Sequence, residues 1–240
     1  MNVIRSIFFN IYFFVGTTVL SFMFLVIMIV RGSQIRTASA FWARFVMWGM
    51  RHIAGIDYEV RGLENLPEEG AIVACKHQSA WDTMIFVMLR ISTAYVLKKE
   101  LLNIPFYGWY VAKSGHIAVD RKAGASALKN LVNDVKDAIK RGRNVVIFPE
   151  GTRSIPGNRG KYHPGIAAIY QNTELPVIPV ALNSGLFWGR QSFIKKPGKI
   201  VMEIMAPIEP GLNRKEFMAI LEEKIETRSA ELEAAAKVGE

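Results

Sequence analysis

The feature that most limits what this chain can become is an unbroken run from Ile7 to Val30, 24 residues without one charged side chain. As a helix rising about 1.5 Å per residue it would reach about 36 Å, against a bilayer hydrocarbon core of about 30 Å. Arg5 precedes the run, Arg31 and Arg36 follow it, and no small-residue cleavage site ends a short apolar stretch. Those flanks favour a retained membrane helix over a removable signal peptide. Behind it, Thr37, Arg44 and Arg51 recur every seven residues, while Phe41, Trp42, Phe45, Val46, Trp48 and Met50 fill the positions between. A narrow basic stripe with two Trp suits a helix lying at headgroup depth; an ordinary helix buried against the following domain fits equally well. Positive flanks on both sides of the first helix leave two arrangements, a full crossing or both helices dipping into one leaflet.

The charge distribution divides the chain at the same place. Residues 1–56 carry five Arg and no acidic residue, and residues 57–240 carry 25 basic and 21 acidic side chains, so +5 of the formal +9 sits in the N-terminal quarter. Part of the basicity is therefore a membrane-flank signal, and with no recognisable reading module nucleic-acid binding is disfavoured. The lone Cys75 makes no internal disulfide, and with four scattered His it offers no metal cluster. Two regions follow: 1–55, membrane-binding helices, and 56–240, a single domain without repeats or linkers.

After Gly55 short apolar runs alternate with helical stretches, the rhythm of an α/β domain. Strands are expected at Tyr58–Arg61, Ala71–Lys76, Ala94–Lys98, His116–Val119, Asn144–Phe148, Val177–Asn183 and Lys199–Ala206. Helices are expected at Trp81–Arg90, Ala123–Arg141, Gly165–Gln171 and Arg214–Ala236, the last with alternating charges that read as a solvated outer face. Gly151–Pro164, with three Gly, two Pro and three Lys or Arg, reads as a loop.

Two strand ends could carry chemistry. Lys76-His77-Gln78-Ser79-Ala80-Trp81-Asp82 falls where a buried strand gives way to a helix, and such ends are where α/β sites collect. His77 and Asp82 would stand about 140° apart on one continuous helix, so a contact needs His77 in the turn and Asp82 in the first helical turn. A carboxylate on one imidazole nitrogen would fix the tautomer and leave the other to take a proton from a hydroxyl. The plainer alternative is a capping box of Ser79 with Asp82. Phe148-Pro149-Glu150-Gly151-Thr152-Arg153-Ser154 ends a second buried strand. There Gly151 would let the backbone approach an anion, Thr152 and Ser154 offer hydroxyls and Arg153 a forked donor set, while Glu150 must bond substrate hydroxyls or pin a cation. The alternative is a tight turn with a surface Arg. Cys75 reads as a small core residue, His52 and His116 as structural, and both the Gly-x-Ser-x-Gly elbow and the P-loop are absent.

Taken in order, His77 with Asp82, Gly115 to Arg121 (Gly-His-Ile-Ala-Val-Asp-Arg), Phe148 to Ser154 and Leu175 to Val180 resemble the four blocks of the glycerolipid acyltransferase family, and its bacterial 1-acyl-sn-glycerol-3-phosphate acyltransferases in particular. The resemblance covers roughly residues 55 to 210 and implies a mixed, largely parallel sheet flanked by helices, behind an N-terminal hydrophobic two-helix membrane segment. It implies transfer of a fatty acyl group from acyl-CoA or acyl-acyl carrier protein to the sn-2 hydroxyl of lysophosphatidic acid, giving phosphatidic acid, with no metal or other cofactor. Carried over residue by residue, His77 would be the general base and Asp82 its orienting partner. Arg153, assisted by Lys98, would hold the acceptor phosphate, Glu150 and Gly151 would shape the glycerol site, where Arg121 is also placed, Thr152 would be a further substrate-binding residue, and Pro179 would shape an apolar groove for the acyl chain. The expected setting is a bacterial inner membrane, with lipids as partners and the active site on the cytoplasmic face. The sequence departs from the pattern at Lys76, where Asn is frequent before the histidine, and at His163, where Lys is. Oxyanion donors are expected among backbone N–H groups at the start of the helix after His77. Two rivals are an acyltransferase for another lysolipid, such as an amino-acid-derived one, and a membrane-anchored phosphate-lipid binder without turnover.

Overall fold

The computed structural model describes residues 1–30, 35–89, 92–104, 107–120 and 124–238. Two N-terminal helices, α1 (Asn2–Val30) and α2 (Ile35–Gly49) with a π-helical turn at Met50–Ala54, lead into β1 (Ile56–Arg61) and β2 (Ile72–Cys75). Then follow α3 (Trp81–Met88), β3 (Thr93–Lys98), α4 (Tyr107–Lys113), β4 (Ile117–Val119), α5 (Gly124–Lys140) and β5 (Asn144–Ile147). The chain closes with α6 (Gly165–Thr173), β6 (Val177–Leu182), β7 (Gly198–Ile204) and α7 (Arg214–Val238). Every expected strand forms within two residues of its expected bounds. Helix α4 was not expected, because seven residues are too few to display a helical period.

The strands make one seven-stranded sheet in the order β1-β7-β6-β2-β5-β3-β4. All neighbours are parallel except β6 and β7, so β1 and β7 run against the other five. Strand β2 is apolar throughout because both of its faces are covered. Its residues alternate between two cores: Val73 and Cys75 join Trp81, Ile85 and Phe86 of α3, whereas Ile72 and Ala74 join Val135 of α5, Ile166 of α6 and Phe217 of α7.

The first core continues into the N-terminal helices through Phe9, Val46, Met47 and Met50, with Phe9 set edge-on against Trp188 at 5.2 Å. Helix α2 has one buried and one exposed face. Ala43, Val46 and Met47 are buried, and the opposite face exposes Thr37, Phe41, Arg44, Trp48 and Arg51. Helix α1 is long and apolar enough to cross a membrane over Asn2–Leu25, and it leaves Ile4, Phe8, Ile11 and Phe14 exposed.

The two helices approach closely because of their glycines. A Cβ at Gly16 would stand 2.2 Å from the Phe45 ring, and one at Gly49 would stand 2.2 Å from the Tyr12 ring, while those two rings stack at 4.1 Å. Gly49→Val is expected to destabilise the protein by about 1–3 kcal/mol through overpacking, read as a lower melting temperature in detergent.

Helix α7 has the expected solvated outer face and, opposite it, a buried one. Phe217, Leu221 and Ile225 are fully buried, and so within a few per cent are Glu226, Ser229 and Glu233. Only part of its surface faces water, and the alternating charges hide an apolar stripe that carries two inward carboxylates.

Candidate active site

Because β2, β3, β5 and β6 run the same way, their carboxyl ends open on one edge of the sheet, where sites in such sheets form. The chain leaves β2 at Cys75, turns through residues 76–80 and starts α3 at Trp81, which puts His77 in the turn and Asp82 in the first helical turn. His77 Nδ1–H donates to Asp82 Oδ2 at 2.9 Å, and the same oxygen accepts the N–H groups of Gln78 at 2.7 Å and Ser79 at 2.8 Å. Asp82 Oδ1 accepts the Ser184 hydroxyl at 2.6 Å from the end of β6. Asp82 is fully buried with both oxygens satisfied, as a buried charge requires. The capping role and the histidine contact thus fall to one carboxylate. The imidazole stacks on Phe148 with centroids 4.0 Å apart, leaving Nε2 as the nitrogen available to a substrate.

Three of the N–H groups around the start of α3 are engaged within the protein, those of Gln78 and Ser79 by Asp82 and that of Trp81 by the Ser79 hydroxyl at 3.2 Å, which narrows the set of oxyanion donors expected there.

The loop after β5 is tied to the same turn, since Ser154 donates to the His77 carbonyl from its N–H at 2.7 Å and from its hydroxyl at 3.1 Å. Gly151, Thr152, Arg153 and Lys98 line one cavity with His77. Glu150 does not line it: the side chain is buried, with Oε1 on Lys76 Nζ at 2.8 Å and Oε2 accepting the His77 N–H at 3.1 Å. Of its two sequence readings, pinning a cation is the one the geometry matches, and direct substrate contact is not.

Pro179 also lies off the cavity, buried in β6 opposite Ala74, so the expected groove role does not fit its position. A proline is admitted to this central strand by a bulge. Two residues of β6 between Val177 and Val180 face three between Ile204 and Ile208, and the Met205 N–H reaches the Pro179 carbonyl at 2.9 Å; bulges are where a strand tolerates a missing donor. Arg121 lies outside the described residues.

The cavity encloses about 1260 Å³. From His77, Thr152 and Arg153 it runs along Val96 and Leu128 to Phe22 and Trp42 of the two N-terminal helices. His116 on its wall accepts the Tyr95 N–H at 3.2 Å; burial, reinforced by Arg143, lowers its pKa to about 4, so it stays neutral at physiological pH. Burial also drives the Cys75 thiol well above its usual range, which fits the inert core residue expected.

Sequence reading missed Ser184, Glu226 and Glu233, and marks Lys76 only as a departure from the family pattern. Glu226 lies 2.8 Å from Lys76 Nζ, and Glu233 accepts the Gln78 amide at 2.6 Å and the Gly157 N–H at 2.8 Å. A signal was present, for Glu226 and Glu233 stand seven apart beside the buried Ile225 and Leu232.

An α/β sheet that offers a His–Asp pair to a deep, largely apolar cavity defines the class. The acyltransferase family model matches residues 57–183, and the chain belongs to that family. It is 44% identical over 163 residues to the 1-acyl-sn-glycerol-3-phosphate acyltransferase of Pseudomonas aeruginosa, a match covering 68% of this chain and 63% of that protein. The Saccharomyces cerevisiae protein of the same name is 29% identical over 187 residues, covering 73% of this chain and 59% of that one. The match therefore spans less than two thirds of the length of either relative. The crystal structure of the 1-acyl-sn-glycerophosphate (LPA) acyltransferase PlsC from Thermotoga maritima superposes with a TM-score of 0.79 over 98% of both chains at 23% identity, a likeness of fold.

Proposed function

We propose that this protein transfers a fatty acyl group from acyl-CoA or acyl-acyl carrier protein to the sn-2 hydroxyl of 1-acyl-sn-glycerol-3-phosphate, forming phosphatidic acid. The observation that carries this reading is the His77–Asp82 contact of 2.9 Å on the wall of a cavity shared with Arg153 and Lys98. His77 Nε2 takes the proton of the acceptor hydroxyl as its oxygen attacks the thioester carbonyl. The C–S bond breaks, the proton passes to the leaving thiolate, and Asp82 stabilises the transient imidazolium. Arg153 and Lys98 hold the acceptor phosphate by charge-assisted hydrogen bonds. The apolar length of the cavity receives an acyl chain. Relatives named for this reaction support the choice of acceptor.

The setting we propose is a bacterial inner membrane, held by α1 and by the exposed Phe41, Arg44, Trp48 and Arg51 of α2, with the site on the cytoplasmic side where soluble acyl donors occur. Residues 1–55 then act as the membrane-binding helices of the catalytic domain at 56–240.

The test is acyl transfer by detergent-purified protein, offering lysophosphatidic acid and, in parallel, a lysophospholipid with a bulky headgroup. Product with the phosphate monoester alone supports the reading. Product with both moves the acceptor to another lysolipid, and phosphate-lipid binding without transfer from either donor makes the protein a binder. Arg153→Ala is expected to raise the acceptor KM by about 10- to 100-fold, the worth of a lost charge-assisted contact, with the donor KM unchanged.

A further inference from the structure

Lys76 takes no part in the steps above, yet it is 1% exposed and sits between two buried carboxylates. Its Nζ lies 2.8 Å from Glu150 Oε1 and 2.8 Å from both oxygens of Glu226, with the Asn158 carbonyl at 3.4 Å. Each carboxylate has a second duty. Glu150 Oε2 accepts the His77 N–H at 3.1 Å, and Glu226 Oε1 accepts the Tyr162 hydroxyl at 3.0 Å. Seven residues further along α7, Glu233 binds Gln78 and Gly157.

Buried ion pairs are seldom more stabilising than apolar residues of the same volume, so fold stability is a poor reason for this cluster. Geometry supplies a better one. Glu150 can keep its hydrogen bond to the His77 backbone only if its charge is balanced, because two buried carboxylates facing each other repel. Lys76 balances both, and through Glu226 it fastens the C-terminal helix to the turn that carries His77.

We propose that Lys76 and Glu226 are positioning residues, which hold the base at its working distance through Glu150 and make α7 a structural part of the active site. This rests on the reading of His77 as the general base. Displacement of a reacting group by about 1 Å costs on the order of 10²-fold in rate, and that is the scale of effect expected here.

The test compares Lys76→Met, Glu226→Gln, the double variant and Arg228→Met in the full-length protein. The readouts are kcat, both KM values, the melting temperature and the His77 backbone amide resonance, assigned by its loss in His77→Ala. Lys76→Met should lower kcat by about 10²-fold with both KM values little changed, and should shift the His77 amide. Glu226→Gln removes one of the opposed charges, so the double variant should recover at least about tenfold of that loss and return the amide towards its wild-type position. Arg228→Met cuts the 2.7 Å pair that ties α7 to Glu203 of β7, and should lower the melting temperature while leaving kcat and the amide unchanged.

A folded Lys76→Met with wild-type kcat, or a double variant no better than the single, overturns the proposal. If Lys76→Met does not fold, the double variant decides alone: kcat within about tenfold of wild type supports the charge-balance account, and a larger loss overturns it. The amide resonance separates the two readings. A wild type without acyl transfer but with an amide that moves and returns as described sinks the proposed reaction and leaves the positioning network standing, whereas an unmoved amide sinks the network alone.

Discussion

His77→Ala is expected to lower kcat by about 10²- to 10⁴-fold, the usual contribution of a positioned general base. The ring is partly exposed on the cavity wall, bonded through Nδ1 to Asp82 and stacked on Phe148. Removing it leaves the Asp82 capping bonds to Gln78 and Ser79 in place, so the turn should persist. The acceptor KM should change little, because the phosphate contacts belong to Arg153 and Lys98. Steady-state transfer to lysophosphatidic acid, with melting temperature measured alongside, checks this. A folded variant with undiminished kcat would remove His77 from the chemistry and favour a lipid binder.

Asp82→Asn is expected to cost kcat up to about the 10²- to 10⁴-fold of the His77 variant, because a neutral amide cannot stabilise the imidazolium as a carboxylate does. The fold should survive. The Asn carbonyl can occupy the Oδ2 position and accept from His77, Gln78 and Ser79, while its NH₂ turns towards the Ser184 oxygen, which can accept as well as donate. Asp82→Ala, by contrast, strands four donors in the protein interior and should destabilise the protein severely. Comparing kcat with melting temperature for the two variants separates the carboxylate's electrostatic role from its capping role. Wild-type turnover in a folded Asp82→Asn would mean that Asp82 serves only as the capping residue.

Much of this architecture is legible in local pattern. The central strands β2, β5 and β6 announce themselves as short apolar runs because strands covered on both faces need no alternation. Helix α5 shows its boundaries through a 3.6-residue period and a closing Gly142. The His77–Asp82 pair is legible because its two members are five residues apart, so one turn and one helix start suffice to bring them together. The inward Glu226 and Glu233 of α7 are not legible, because a few inward carboxylates among many outward ones leave the charge pattern almost unchanged.

Glu150 shows the limit most clearly. Its sequence neighbours Gly151, Thr152 and Arg153 line the cavity, and the local motif groups it with them; the partner that turns it away, Lys76, is 74 residues distant in the chain. Glu226 is 150 residues from the same lysine, and Ser184 is 102 residues from Asp82.

What the sequence by itself determined were the features set by short-range rules: an apolar helix of membrane length, the alternation of strands and helices, the ordered motif blocks and the turn that joins a histidine to an aspartate. What only the tertiary structure decided was how charge is balanced behind that turn, which face of α2 is buried, and where the cavity runs between sheet and N-terminal helices. The physical reason is that hydrogen-bonded turns and periodic burial are local, whereas a buried charge takes whatever partner the packed chain brings within 3 Å, and nothing in the spacing of residues along the chain specifies which that is.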